Sequence, residues 1–279
     1  MALHHVTHGE GTPVLALHGW TPDHRLMTGC LEPIFANRPG YRRLYPDLPG
    51  MGQSPAGDID SSDGIMAALR EFVDAEIGTE PFILIGESYG GYLSRGLVAE
   101  RPDQILGLGL ICPIGVALEH ADRTVPEHVV LESDPEVLAG LTPAQVEDFT
   151  GIAVVQTAET LRQYQQDIEP GLDAADAEAM ARIRKNWALT IAPESGPVFT
   201  RPSLILCGRQ DSSTGYADQY PLLPHYPRAS YVVLDGAGHN LQIEQPALLA
   251  ALIDDWLTRI AREPEPDFPA GLPTQPTSR

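Results

Sequence analysis

Four short stretches of the chain are apolar on consecutive positions: 13–19 (PVLALHG), 81–87 (PFILIGE), 105–113 (ILGLGLICP) and 203–208 (SLILCG). Consecutive rather than alternate apolar positions mark strands covered on both faces, as in parallel sheets. Residues 231–235 (YVVLD) and the more polar 41–47 (YRRLYPD) extend the series. Between these runs lie amphipathic segments at 61–77, 92–102 and 246–263, with apolar positions recurring at helical spacing. The repeated order of strand and helix predicts an α/β fold, a mostly parallel central sheet flanked by helices.

The alternation stops after residue 113. From 114 to about 200 no strand pattern is visible, and 142–168 and 173–191 read as helices with acidic outer faces. The expected organisation is a core in two parts, 1–113 and 201–263, with a helical cap inserted at 114–200. Residues 264–279 are proline-rich and lack apolar periodicity, which predicts a disordered tail. His4, His5 and His8 fall in an N-terminal segment without a strand pattern, expected to be exposed.

Charge narrows the partners. Against 38 acidic residues stand 18 basic ones, a formal net charge of -20, and Lys185 is the one lysine. Such a surface repels phosphates and anionic membranes, so neither nucleic acid nor a membrane is an expected partner, and a small-molecule substrate is. Cys30, Cys112 and Cys207 are too scattered for a disulfide framework or a metal site and read as free thiols. The N-terminus has no signal-peptide pattern, and no stretch approaches about 18 consecutive apolar residues, so a soluble cytoplasmic protein is expected.

Candidate chemistry centres on GESYGG (86–91), where a buried-strand pattern gives way to a helical one at Ser88. Strand, sharp turn and helix are the context of a nucleophile elbow, with Gly86 and Gly90 placed where side chains would collide. A serine hydroxyl needs a base, and the base needs a carboxylate to orient it. Of nine histidines, His239 lies in DGAGHN directly after a strand, on a glycine-rich loop. Asp211 follows SLILCGRQ and so sits beyond the carboxyl end of another strand, the edge where catalytic groups of parallel sheets gather. Glu119 is the alternative acid. Oxyanion stabilisation requires aimed backbone N–H groups, for which Tyr89 and Trp20 are candidates, with His18 and Gly19 forming the second loop.

With LHGW (17–20), DLPGMGQS (47–54), GESYGG (86–91), GRQD (208–211) and GAGHN (236–240) in this order, the chain resembles the α/β-hydrolase superfamily over roughly residues 12–263. The resemblance implies a triad of Ser88, Asp211 and His239, no cofactor and no metal, a lid over the pocket, and a structural role for the Asp47 loop. Only about a dozen residues precede the strand that ends in LHGW, so the first of the family's usual eight strands is expected to be missing or vestigial. A serine nucleophile disfavours the dehalogenase and epoxide hydrolase branches. Members that cleave carbon–carbon bonds carry asparagine before the serine and tryptophan after the histidine, where this chain has Glu87 and Asn240. The expected activity is hydrolysis of a small ester or lactone. The alternatives are carbon–carbon hydrolysis, with Arg25, Arg182 or Arg184 offsetting an anionic substrate, and ligand binding without turnover. DHRLM (23–27), Tyr164 and Trp187 are candidate pocket residues.

Overall fold

The apolar runs become strands, in a computed structural model that describes residues 2–262. In chain order they are β1 (His5–His8), β2 (Thr12–Leu17), β3 (Tyr41–Pro46), β4 (Phe82–Glu87), β5 (Ile105–Ile111), β6 (Glu132–Ser133), β7 (Val155–Gln156), β8 (Ser203–Gly208) and β9 (Ala229–Leu234). Seven form one sheet in the order β1-β3-β2-β4-β5-β8-β9; β6 and β7 pair separately. Within the large sheet every pairing is parallel except β1 with β3. Strand β4 is buried at all six positions, which is why its sequence lacks alternation.

Helices α1 (His24–Phe35), α2 (Ser62–Glu76) and α3 (Ser88–Glu100) connect the first strands, and α9 (Leu241–Glu244) and α10 (Pro246–Ala261) follow β9. Between β5 and β8 lie five short helices: α4 (Pro135–Leu138), α5 (Pro143–Thr150), α6 (Ala158–Asp167), α7 (Glu169–Ala174) and α8 (Ala177–Ile183). Two apolar cores sandwich the sheet. One gathers α2, α3 and Trp187 around Leu84 and Leu108; the other gathers α1, α6 and α10 around Ile83, Ile85 and Leu204.

Three expectations need correction. The N-terminal histidines are not an exposed tail, since His5–His8 pairs with β3 as the antiparallel edge strand, and His4 Nδ1 donates to the buried Asp47 carboxylate at 2.8 Å. The sheet still has seven strands, one fewer than the family's usual eight. Residues 142–168 are not one helix: α5 ends at Gly151, and Val155 and Gln156 pair as β7 with β6, so the inserted segment does contain a strand pair. New caps at Thr142 and Thr157, each closing a capping box, restart the helix on either side. The 173–191 stretch likewise breaks at Ala175, and α8 begins after the Asp176 cap. Helix α1 was hidden by its Gly29 and Pro33, although the Asp23 side chain caps it through the Arg25 N–H. The proline-rich 264–279 lies outside the described residues.

Candidate active site

Helix α3 starts at Ser88 with no residue between it and β4, so the chain reverses within one peptide unit. Ser88 therefore adopts φ +50°, the left-handed region that side chains disfavour. A Cβ on Gly86 would collide with the Gly90 carbonyl, and one on Gly90 with the carbonyl oxygens of Leu17 and His18 at the end of β2. The first turn of α3 thus packs directly on the strand that leads to Gly19 and Trp20. No side chain caps α3, which leaves the N–H groups of its first turn directed at the cleft.

Loops after β8 and β9 bring the other candidates to this corner. His239 Nε2 lies 3.0 Å from Ser88 Oγ, and its Nδ1 donates to Asp211 Oδ2 at 3.1 Å. Asp211 is fully buried, and its remaining lone pairs accept from the N–H groups of Ser213 (2.8 Å) and Thr214 (2.9 Å) and from Thr214 Oγ1 (2.6 Å). Burial pushes the Asp211 carboxyl up, but the facing imidazole and these donors outweigh it and hold the group below its ordinary range. For His239 burial acts downward, yet the carboxylates of Asp211 and Glu87 carry its pKa up to about 9. Glu119, the other candidate acid, pairs instead with Arg184 on the surface at 2.6 Å.

His18 is buried beneath the second loop. Its Nδ1 donates to the Gly19 carbonyl at 2.8 Å and its Nε2 accepts from the Leu48 N–H at 2.9 Å, which locks one neutral tautomer, and burial lowers its pKa. The imidazole therefore ties the loop after β2 to the 47–54 turn. That turn is centred on Asp47, whose carboxylate accepts from His24 N–H, His24 Nδ1, Gln53 N–H and His4 Nδ1, all at 2.8–2.9 Å. Trp20 packs edge-on against Tyr89 and Trp187, and Trp187 stacks on Tyr89 with centroids 4.3 Å apart.

Ser88 and His239 open into a cleft of about 170 Å³, roofed by Ile152, Tyr164, Ile168 and Leu172 of the inserted segment, with Leu26 on its wall. A larger cavity of about 400 Å³ beside Cys30 and Gln242 contains none of the candidate triad. Of the sequence candidates for the pocket, Tyr164 and Leu26 line it, whereas His24 and Arg25 are bonded to Asp47 and Asp23. Trp187 stands behind Tyr89. Among the lining residues without a role in the sequence pattern are Glu87, 2% exposed with Oε1 3.5 Å from His239 Nε2, and Asn240, whose buried Nδ2 has no partner among the described residues. Glu87 was detectable as an ionisable residue at the end of an apolar strand run.

A parallel sheet with a strained serine after its central strand, faced by a histidine and a buried aspartate from later loops, defines a class, and the family comparison agrees. The model of the alpha/beta hydrolase family matches residues 14–252, and the chain belongs to that family. Its fold matches an alpha/beta superfamily hydrolase from Oenococcus oeni PSU-1 with a TM-score of 0.85 and 30% identity, covering 92% of this chain and 96% of that one. Among characterised relatives, a pimeloyl-[acyl-carrier protein] methyl ester esterase from Aeromonas hydrophila is 28% identical over 255 residues, 89% of this chain and 96% of that protein. A 2-hydroxymuconate semialdehyde hydrolase from Pseudomonas sp. CF600 is 25% identical over 260 residues, 89% and 88% of the two chains. Among the described residues no helix is long and apolar enough to cross a membrane.

Proposed function

We propose that this α/β hydrolase is a serine hydrolase that cleaves a small carboxylic ester or lactone through an acyl-enzyme. The observation that carries the reading is the continuous hydrogen-bonded chain from Ser88 through His239 to Asp211, opening on an apolar cleft. In this reading His239 takes the Ser88 proton as Oγ attacks the ester carbonyl, and Asp211 holds Nδ1 protonated and stabilises the imidazolium. The N–H groups of Tyr89 and Trp20 receive the oxyanion. His239 then protonates the leaving alcohol, and a water activated by the same imidazole releases the acid. His18 and Gly19 set the height of the Trp20 amide, and Gly86 and Gly90 let α3 approach it. The inserted segment, proposed as a cap over 114–200, sets the substrate's size. A cleft of about 170 Å³ is smaller than the roughly 300–1,000 Å³ of ordinary ligand pockets, which favours short acyl groups.

Carbon–carbon hydrolysis of an anionic dienoate fits less well. Arg25 is paired with Asp23, Arg182 donates to the carbonyls of Ile59 and Gly57, and Arg184 is paired with Glu119, so each arginine considered for such a substrate is engaged elsewhere. The test is a fluorophosphonate label combined with turnover of short p-nitrophenyl esters and of a 2-hydroxy-6-oxo-dienoate. Wild type should label and Ser88→Ala should not. The ester should exceed the dienoate at least a hundredfold in kcat/KM, about 2.7 kcal/mol in transition-state binding. Equal labelling of the two proteins, or the reverse substrate order, refutes the reading; labelling without turnover of any ester would leave a ligand-binding member of the family.

A further inference from the structure

The residue immediately before the elbow serine is a glutamate at the end of a strand buried at every position. We propose that Glu87 determines substrate charge: a carboxylate in the floor of the cleft makes the site accept neutral or cationic acyl groups and reject those that carry a carboxylate. The proposal rests on the ester hydrolase reading and deepens it.

Placement comes first. Glu87 lines the cleft with Ser88 and His239, and its Oε1 stands 3.5 Å from the imidazole nitrogen that faces Ser88 Oγ. Its other oxygen is pressed against Gly19, where a Cβ would collide with Oε2. The group thus lies packed between the loop leading to Trp20 and the base, next to the place where an acyl carbonyl must sit. Buried to 2% exposure between these two neighbours, it has little room to turn away from an anion.

Compensation comes second. Among the described residues lining the cleft there is no arginine or lysine, and the one other carboxyl is that of Asp148, on the exposed rim. Arg123 influences His239 from outside the cleft, but its guanidinium donates to the carbonyls of Ala117, Leu118 and Ser213. In the form that reacts, with the His239 imidazole neutral, an incoming carboxylate would therefore meet Glu87 in a desolvated space with no cation to offset it, whereas a quaternary ammonium would find a partner.

Ionisation decides the assay conditions. Burial pushes the Glu87 carboxyl up to about 7, with Asp211 adding to the rise and His239 and the Gly19 amide opposing it; the Cys30 thiol of α1 and the Cys112 thiol just after β5 also feel it. At pH 8.5 the carboxylate is charged.

The experiment compares three p-nitrophenyl esters of similar acyl length, ending in a methyl, a carboxylate or a trimethylammonium group, at pH 8.5 with wild type and Glu87→Gln. Wild type should prefer the neutral ester to the anionic one by at least a hundredfold in kcat/KM. Glu87→Gln should shrink that ratio to less than tenfold and lower the preference for the cationic ester. An unchanged ratio in the variant overturns the proposal while leaving the esterase reading intact; no turnover of the neutral ester by wild type defeats the esterase reading itself. Should the glutamine variant not fold, wild type alone suffices. The ratio of inhibition constants for n-butylboronic acid and its carboxylate-ended analogue should widen at least fivefold from pH 6 to 8.5, and a ratio constant with pH overturns the proposal.

Discussion

His239 is approached by three oxygens, Ser88 Oγ on one nitrogen and the carboxylates of Asp211 and Glu87 from different sides. In the proposed triad only the neutral imidazole can accept the serine proton, so kcat/KM of the free enzyme should follow its deprotonation. Because the two carboxylates raise its pKa to about 9, activity should climb from pH 7 toward pH 9, with its midpoint well above the ordinary histidine value near 6.5. A profile already flat above pH 7 would contradict this. Asp211→Asn removes the larger of the two charges and presents an amide that favours the wrong tautomer. Its kcat should fall by about 10⁴, the loss known for the corresponding change in another triad enzyme, and the remaining pH limb should move downward. Near wild-type turnover by this variant would exclude Asp211 as the orienting acid.

At the scale of elements, Glu244 of α9 joins two parts of the chain that the sequence keeps far apart. Its carboxyl accepts from the Gly238 N–H at 2.6 Å, beside His239, and from the N–H groups of Val154 (2.7 Å) and Val155 (3.3 Å) at the start of β7. Burial raises its pKa, opposed by these three donors. Glu244→Ala leaves all three amides without their acceptor in a buried site, at about 1–3 kcal/mol for each group left unpaired. The expected result is a net loss of about 3 kcal/mol, a fall of roughly 6–12 °C in Tm, together with a lower kcat as the loop loses its anchor. Glu244→Gln keeps one acceptor oxygen and should lose less of both. Calorimetry beside ester kinetics tests the pair, and a Glu244→Ala protein with unchanged Tm would remove Glu244 from this role.

Across the whole molecule the excess of acidic groups sets a different dependence. A formal net charge of -20 repels itself in the folded state more than in the expanded chain. Added salt shortens the screening length from about 30 Å at 0.01 M to about 8 Å at 0.15 M ionic strength. Raising NaCl across that range should increase Tm by a few degrees, and a Tm that falls instead would mean that paired charges such as Arg95 with Glu194 outweigh the general repulsion. The same charge predicts no binding to vesicles of anionic lipid, measured by co-sedimentation.

Much of this protein is written in its linear pattern, and the reason is local. Strands buried on both faces must be apolar without interruption, so β2, β4, β5 and β8 declare themselves, and a serine between Gly86 and Gly90 at a strand-to-helix junction has few other uses. His239 and Asp211 were visible because loops at the carboxyl ends of such strands converge on one edge. Residues whose roles depend on distant partners were not visible. His4 is an ordinary histidine until β3 brings Asp47 beside it, β1 has too few residues to show a period, and the inserted segment breaks at Gly151 because Val155 finds β6. Glu87 is the clearest case. In the sequence it is a polar residue closing an apolar strand; only the fold, by closing Gly19 and His239 around it, turns it into a charge at the floor of the cleft. Periodicity is set by neighbours along the chain, whereas charge, burial and reach in a cleft are set by neighbours across it.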